Sequence, residues 1–344
     1  MYYIRKKLVP FVTILALILA MTGCSKQEST VKYSTTDFAM GTTITELLYG
    51  TDETASKKAS EEMVDILKKV EDEQISWRVK GSEVYKINHT AQEVTVDSEV
   101  ADWLEQSRKI ADDTDGALNP GVGTLAQLWD IGGDHPKVPK QSEIEDALKK
   151  IDFRSISQDG TKVMTDPEKV QVDLGAVGKG IGADKMMEYL KGNDSIKGAV
   201  ISVGGSLCVY GQKDDGSNWN VGIQDPRGKT GEMLGSVSVN KNCFISTSGD
   251  YEKYIMKNGK RYHHILDSAT GYPSESGLIS VTILCDSGLV SDGLSTACFV
   301  LGMDKSKEIL KKYHAEAIFV DEDKNVYTTD GIDFSLQADG YKLY

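Results

Sequence analysis

The chain has 344 residues, 40% apolar and 26% charged, with five cysteines. That composition excludes a disulfide-stapled mini-domain, a collagen-like repeat and a disordered chain. A formal charge of −13 argues against a nucleic-acid partner, which would need clustered cations against its phosphates.

Arg5, Lys6 and Lys7 precede an apolar run from Leu8 to Met21. The run is short for a membrane span, which takes about 20 apolar residues, and reads as a secretory signal over residues 1–23. Met21-Thr22-Gly23-Cys24 has the form of a bacterial lipoprotein box, with Cys24 as the lipidated first residue of the mature chain. Residues 24–36 are polar and unpatterned, as a tether would be. The expected location is therefore extracytoplasmic, on the cell membrane through a lipid. No linker, repeat or biased tract divides the remainder, so residues 37–344 read as one domain.

Along that domain, Met63, Ile66, Leu67 and Val70 recur at helical spacing and predict a helix over 52–74. Val100, Trp103 and Leu104 mark a second over 98–112. Ser142 with Glu145 has the capping-box pattern and opens a short helix to Lys150. Val170–Leu174 reads as a strand that passes through glycines into a helix ended by Gly192. Apolar runs at Ala199–Val203, Trp219–Ile223, Val237–Val239 and Leu278–Leu284 are punctuated as strands are. Two more helices follow, Gly288–Leu301 and Lys305–Tyr313, and then a hairpin of Ala317–Val320 with Asn325–Thr328. Strands and helices in irregular order predict an α+β domain. Cys208, Cys243, Cys285 and Cys298 sit among apolar neighbours and are expected to be buried thiols.

Four segments carry chemistry-bearing residues. Asp173-Leu174-Gly175-Ala176-Val177-Gly178-Lys179 runs into a helix start, where backbone N–H groups and a lysine suit an anion; the spacing fits neither a P-loop nor a dinucleotide fingerprint. Asp292 and Thr296, four apart on a helix, share a face and present the hard oxygens that magnesium takes. In His263-His264-Ile265-Leu266-Asp267, a histidine is a candidate proton acceptor, and Asp267 is placed to orient it. Of the two histidines, one is expected to be functional and its neighbour exposed. Ser202–Ser206 and Ser246–Tyr251 follow apolar runs with glycines that allow close ligand approach. Met40-Gly41-Thr42 and the stretch Gly116 to Gly123 have the same character.

Taken together and in this order, these segments resemble the ApbE-type FAD:protein FMN transferases over most of the mature chain. The resemblance implies an ApbE-type, T-fold-like α+β domain and Mg²⁺-dependent cleavage of the FAD pyrophosphate. FMN would pass through a phosphodiester to a threonine of an extracytoplasmic acceptor carrying an Asp-Gly-x-Ser/Thr-Gly-Ala-Thr-like segment, with AMP released. It implies Asp292, Thr296 and the Ala176 carbonyl as magnesium ligands. Met40, Trp77, Ala117, Leu118, Asn119, Asp173, Lys179 and Ile265 would line the FAD site, and His264 would take the acceptor proton. This chain has Asp267-Ser268 where the family usually has Asp-Pro. Relatives that hydrolyse FAD to FMN and AMP, or a lipoprotein that only binds FAD, are the alternative readings.

Overall fold

The computed structural model describes residues 30–344; Cys24 and the signal segment lie outside them. Nine strands lie side by side in chain order: β1 (Val31–Ala39), β2 (Thr42–Gly50), β3 (Ile196–Val203), β4 (Ser206–Gly211), β5 (Cys243–Gly249), β6 (Leu278–Cys285), β7 (Glu316–Asp321), β8 (Asn325–Thr328) and β9 (Lys342–Leu343). All neighbours are antiparallel except β8 and β9. The helices are α1 (Glu53–Lys69), α2 (Glu83–Asn88), α3 (Ser98–Asp113), α4 (Gly123–Trp129), α5 (Gln141–Leu148), α6 (Gly178–Lys191), α7 (Gly288–Leu301) and α8 (Met303–Lys312). The first six fall between β2 and β3, the last two between β6 and β7. The architecture is α+β, as expected.

One face of the sheet is covered by helices. Met63 and Leu67 of α1 and Met186, Met187 and Leu190 of α6 pack on Ile44, Leu48 and Ile201. The other face carries a small sheet of Trp219–Gln224, Met233–Val239 and Phe334–Leu336, whose Trp219, Val221 and Val237 meet Val209, Ile245 and Ile279. The alternation buried-exposed along Trp219–Gln224 is what a half-buried strand produces. The four cysteines are buried and free, and burial pushes the Cys285 and Cys298 thiols up to about 11.

Several expectations are corrected. Residues 31–36, read as tether, form the first part of β1, with Val31 opposite Gly50 and Thr36 opposite Thr45. A polar edge strand carries no apolar alternation, so it was invisible as a strand. Val170–Leu174 enters no sheet: it makes isolated bridges to Ile151 and Val122. Its backbone is instead held by Asn88, which donates to the Val172 carbonyl and accepts from the Val172 N–H, both at 2.7 Å. The α5 cap falls two residues earlier than read, with the Glu143 carboxylate accepting from the Lys140 N–H at 2.8 Å. Asp52, by contrast, caps α1 through the Ala55 N–H at 2.8 Å, and α1 runs on into a π-helical turn, Val70–Ile75.

Glu46 of β2 is completely buried under α1, and neither carboxylate oxygen has a hydrogen-bond partner. Burial raises its pKa to about 7. Between pH 4.5 and 7 the folded chain therefore holds a proton that the unfolded chain gives up, and stability falls as pH rises through that window. Glu46→Gln is expected to stabilise by roughly 3 kcal/mol at pH 8 and by little at pH 4.5. Urea unfolding at the two pH values checks this; an equal effect at both would remove the titration.

Candidate functional site

Helices α6 and α7 cross at a point where only glycine fits. A Cβ on Gly180 would lie 2.1 Å from the Gly288 carbonyl oxygen, and one on Gly288 would lie 2.3 Å from the Gly180 carbonyl oxygen. The contact lets each helix supply a carboxylate to the other's first turn. Asp184 of α6 accepts from the Gly288 and Leu289 N–H groups at 2.7 Å each. Asp292 of α7, 1% exposed, accepts from the Gly180 N–H at 2.9 Å. The negative charge at the α6 N-terminus is this chain's own Asp292 carboxylate.

The second oxygen of Asp292 accepts from Ser206 Oγ at 3.0 Å and faces Lys179 Nζ at 3.5 Å. Asp292 beside Lys179 holds the ammonium's pKa above its usual value. One turn on, Thr296 Oγ1 lies 3.3 Å from Ser248 Oγ, which is 2.7 Å from Ser295 Oγ. Ser246, opposite Ser206 in the β4–β5 register, has a buried hydroxyl without a partner. These are hard oxygen donors, the type magnesium binds while keeping waters and substrate phosphate. The donor set fits such an ion. Among the described residues no cluster of three or more His, Cys, Asp or Glu side chains forms a metal cage.

Above this point opens a cleft of about 1060 Å³. Met40, Trp77, Ala117, Leu118, Asn119, Asp173, Ala176, Lys179, His264, Ile265 and Thr296 all line it, while Asp292 lies beneath its floor. Met40 has a positive φ of 54°, and its N–H donates to the Glu71 carboxylate at 2.6 Å. A residue strained in this way, fixed by a side chain of the π turn, is the sort of device found at functional sites. The Arg78 guanidinium stacks on Trp77 at 3.8 Å. Burial raises the Asp173 pKa, opposed by the Gly175 N–H, Arg78 and the Trp77 indole. Asn119 spends its side chain on the loop, donating to the Ile151 carbonyl and accepting from the Gly121 N–H. Leu118 and Ile265 are mostly core.

The histidine pair divides differently from the reading. His263 is the structural one, buried, with Nε2 3.0 Å from the Ser274 carbonyl. His264 lines the cleft, and its buried Nδ1 has no partner. Asp267 does not orient it, because its carboxylate closes its own turn through the Ala269 N–H and the Thr270 hydroxyl. Burial, with Lys179 and Lys253 nearby, pushes the His264 pKa down to about 3, so the free protein carries a neutral imidazole there. Ser206, Ser248, Glu252, Lys253 and Arg78 were not singled out as residues. The first four fall in or beside the glycine-bearing segments, whose spacing marks a turn without saying which side chain faces inward.

The ApbE family model matches residues 40–319. The chain is 33% identical to the FAD:protein FMN transferase of Treponema pallidum over 93% of each chain. It is 30% identical to that of Haemophilus influenzae, over 94% of this chain and 96% of the other. Among solved structures it is similar to the Thermotoga maritima ApbE protein, with a TM-score of 0.77 and 30% identity over 89% of this chain and 97% of that one. It also resembles the Pseudomonas stutzeri flavinyl transferase ApbE, with a TM-score of 0.73 and 26% identity over 90% and 95%. A match over this span, with the cleft residues assembled as described, makes the chain a member of the ApbE family.

Proposed function

We propose that the protein is a Mg²⁺-dependent FAD:protein FMN transferase that attaches FMN to a threonine hydroxyl of an acceptor protein and releases AMP. The observation that carries this reading is the convergence of Thr296, Ser248, Lys179 and His264 on one cleft, with Asp292 beneath its floor against Lys179. Its volume, about 1060 Å³, is at the upper end of small-molecule sites and suits a dinucleotide.

In this reading the threonine Oγ attacks the FMN phosphorus and His264 takes its proton. The bond to the bridging oxygen breaks, and its electron pair leaves on the AMP phosphate. Asp292, Thr296 and the Ala176 carbonyl would hold the magnesium ion, which supplies Lewis-acid charge to the pyrophosphate. Lys179 and Lys253 offset the phosphate charge from the protein side. Their charge adds to the burial that depresses His264, and bound phosphate would offset the lysines' share of it. The N-terminal basic–apolar run and Cys24 support an extracytoplasmic, lipid-anchored enzyme.

The test is incubation with FAD, Mg²⁺ and a carrier protein bearing an Asp-Gly-x-Ser-Gly-Ala-Thr segment, followed by mass spectrometry. The expected result is a metal-dependent gain of one FMN on threonine with stoichiometric AMP. His264→Ala is expected to slow transfer by about 10²-fold or more while FAD still binds. Near-normal transfer by that variant would sink the assignment of the base. AMP and free FMN without adduct would shift the reading to FAD hydrolysis.

A further inference from the structure

The segment between the cleft residues Lys253 and His264 is a hairpin that stands apart from the main sheet. It pairs Tyr254–Lys257 with Lys260–His263, Tyr254 opposite His263 and Lys257 opposite Lys260. Asn258 and Gly259 both have positive φ, 53° and 77°, as a two-residue turn of the I′ kind requires. The His264 N–H donates to the Lys253 carbonyl at 3.1 Å, which fixes Lys253 and His264 as a hydrogen-bonded pair.

In an antiparallel ladder such pairs alternate with pairs whose backbone groups point outward. Ile255 and Tyr262 are then bonded to each other, and Tyr254 and Met256 aim their N–H and C=O groups at the outer edge of their strand. No strand covers that edge among the described residues. The side chains along it are apolar and exposed, Tyr254 by 43% and Met256 by 56%.

The edge is also cationic. The hairpin contains Lys257, Lys260 and Arg261 and no carboxylate, in a chain of charge −13. Lys260 pairs with Glu275 and Arg261 with Asp250. Lys253 and Lys257, at the two ends of the open strand, form no ion pair among the described residues. The edge therefore begins at Lys253, which lines the cleft, and ends in a free ammonium outside it.

We propose that this edge is the docking strand for the acceptor: an extended, carboxylate-bearing segment of the flavin-receiving protein adds as a third strand beside Tyr254–Lys257 and runs past Lys253 into the cleft. The inference rests on the transferase reading, which requires a protein hydroxyl to reach His264. Strand addition supplies affinity through main-chain bonds to Tyr254 and Met256, and the flanking lysines choose an acidic segment. An added strand lies about 4.8 Å from its neighbour, so the chain leaving the edge at Lys253 enters the cleft beside the residue paired with His264.

The probe is the same carrier protein bearing the Asp-Gly-x-Ser-Gly-Ala-Thr segment. Met256→Pro removes one outward N–H at an edge position where proline is otherwise tolerated, and Lys257→Glu reverses the outer charge. Each is expected to raise the acceptor KM at least about tenfold while the FAD dissociation constant and acceptor-free FAD cleavage stay as in wild type. Met256→Ala, which keeps the backbone donor, is expected to move the acceptor KM less than Met256→Pro. Hydrogen exchange at the Tyr254 and Met256 amides should slow when the carrier is added. Unchanged acceptor KM in Lys257→Glu together with unprotected amides would overturn the docking strand, even if Met256→Pro fails to fold. Amide protection without any FMN adduct on the carrier would keep the docking strand and overturn the transferase reading.

Discussion

Asp292→Ala is expected to lower FMN transfer at least about 10³-fold, because one side chain serves both the proposed metal site and the helix crossing. Its carboxylate accepts from the Gly180 N–H and Ser206 Oγ and faces Lys179. In the proposed function truncation removes a magnesium ligand; in the fold it strands a largely shielded ammonium, a backbone donor and a hydroxyl together. Breaking one side of such a pair costs about 3–5 kcal/mol when burial is complete; Lys179 retains 27% exposure, so the lower end is expected. Asp292→Asn separates the two roles, since the amide still accepts from Gly180 but binds magnesium poorly. It should recover the Gly180 contact but not the Lys179 pair, and so part of the stability and little of the activity. Calorimetric titration with Mg²⁺, urea unfolding and the transfer rate read the three quantities; turnover within tenfold of wild type for either variant would take Asp292 out of the metal site.

Gly180→Ala is expected to damage fold and activity together. The new methyl would lie 2.1 Å from the Gly288 carbonyl oxygen and 2.7 Å from the Asp292 Cβ, distances no packed carbon tolerates. Neither neighbour is the flexible end of a side chain, so α6 and α7 must separate. Overpacking of this kind costs about 1–3 kcal/mol or more, and the separation also pulls Asp292 from the Gly180 N–H and Asp184 from the α7 cap. A fall in Tm of roughly 2–5 °C follows from that range for a domain of this size, with transfer reduced by about 10²-fold through a displaced Asp292. Gly192→Ala is the control, since its Cβ meets nothing closer than the Tyr189 carbonyl oxygen at 3.6 Å. Equal behaviour of the two variants in thermal melts would refute the crossing argument.

The helices were legible because their apolar period survives in the chain: Met63, Leu67, Trp103 and Leu104 are all buried where the pattern points them. Strands Ile196–Val203 and Leu278–Cys285 were legible because both lie in the middle of a sheet and are mostly apolar. β1 was not, because an exposed edge strand selects its residues for backbone pairing and not for a core. The extended segment at Val172 looked like a strand for the opposite reason. Its apolar residues are buried, but an asparagine side chain takes the ladder's place.

The order of the ApbE-like segments, the choice of His264 over its neighbour and the Asp292/Thr296 spacing were all present in the linear chain. Spacing along one helix and resemblance along one chain need no knowledge of what lies opposite. What lies opposite was decided only by tertiary structure: that Asp292 is held by the α6 backbone and Ser206, that Asn119 reaches the Ile151 carbonyl while Asp267 closes its own turn, and that Lys253 joins Lys179 near His264. Hydrogen-bond partners and local electrostatics at the site depend on approach within a few ångströms between residues up to 113 positions apart, and no local pattern in the sequence encodes that distance.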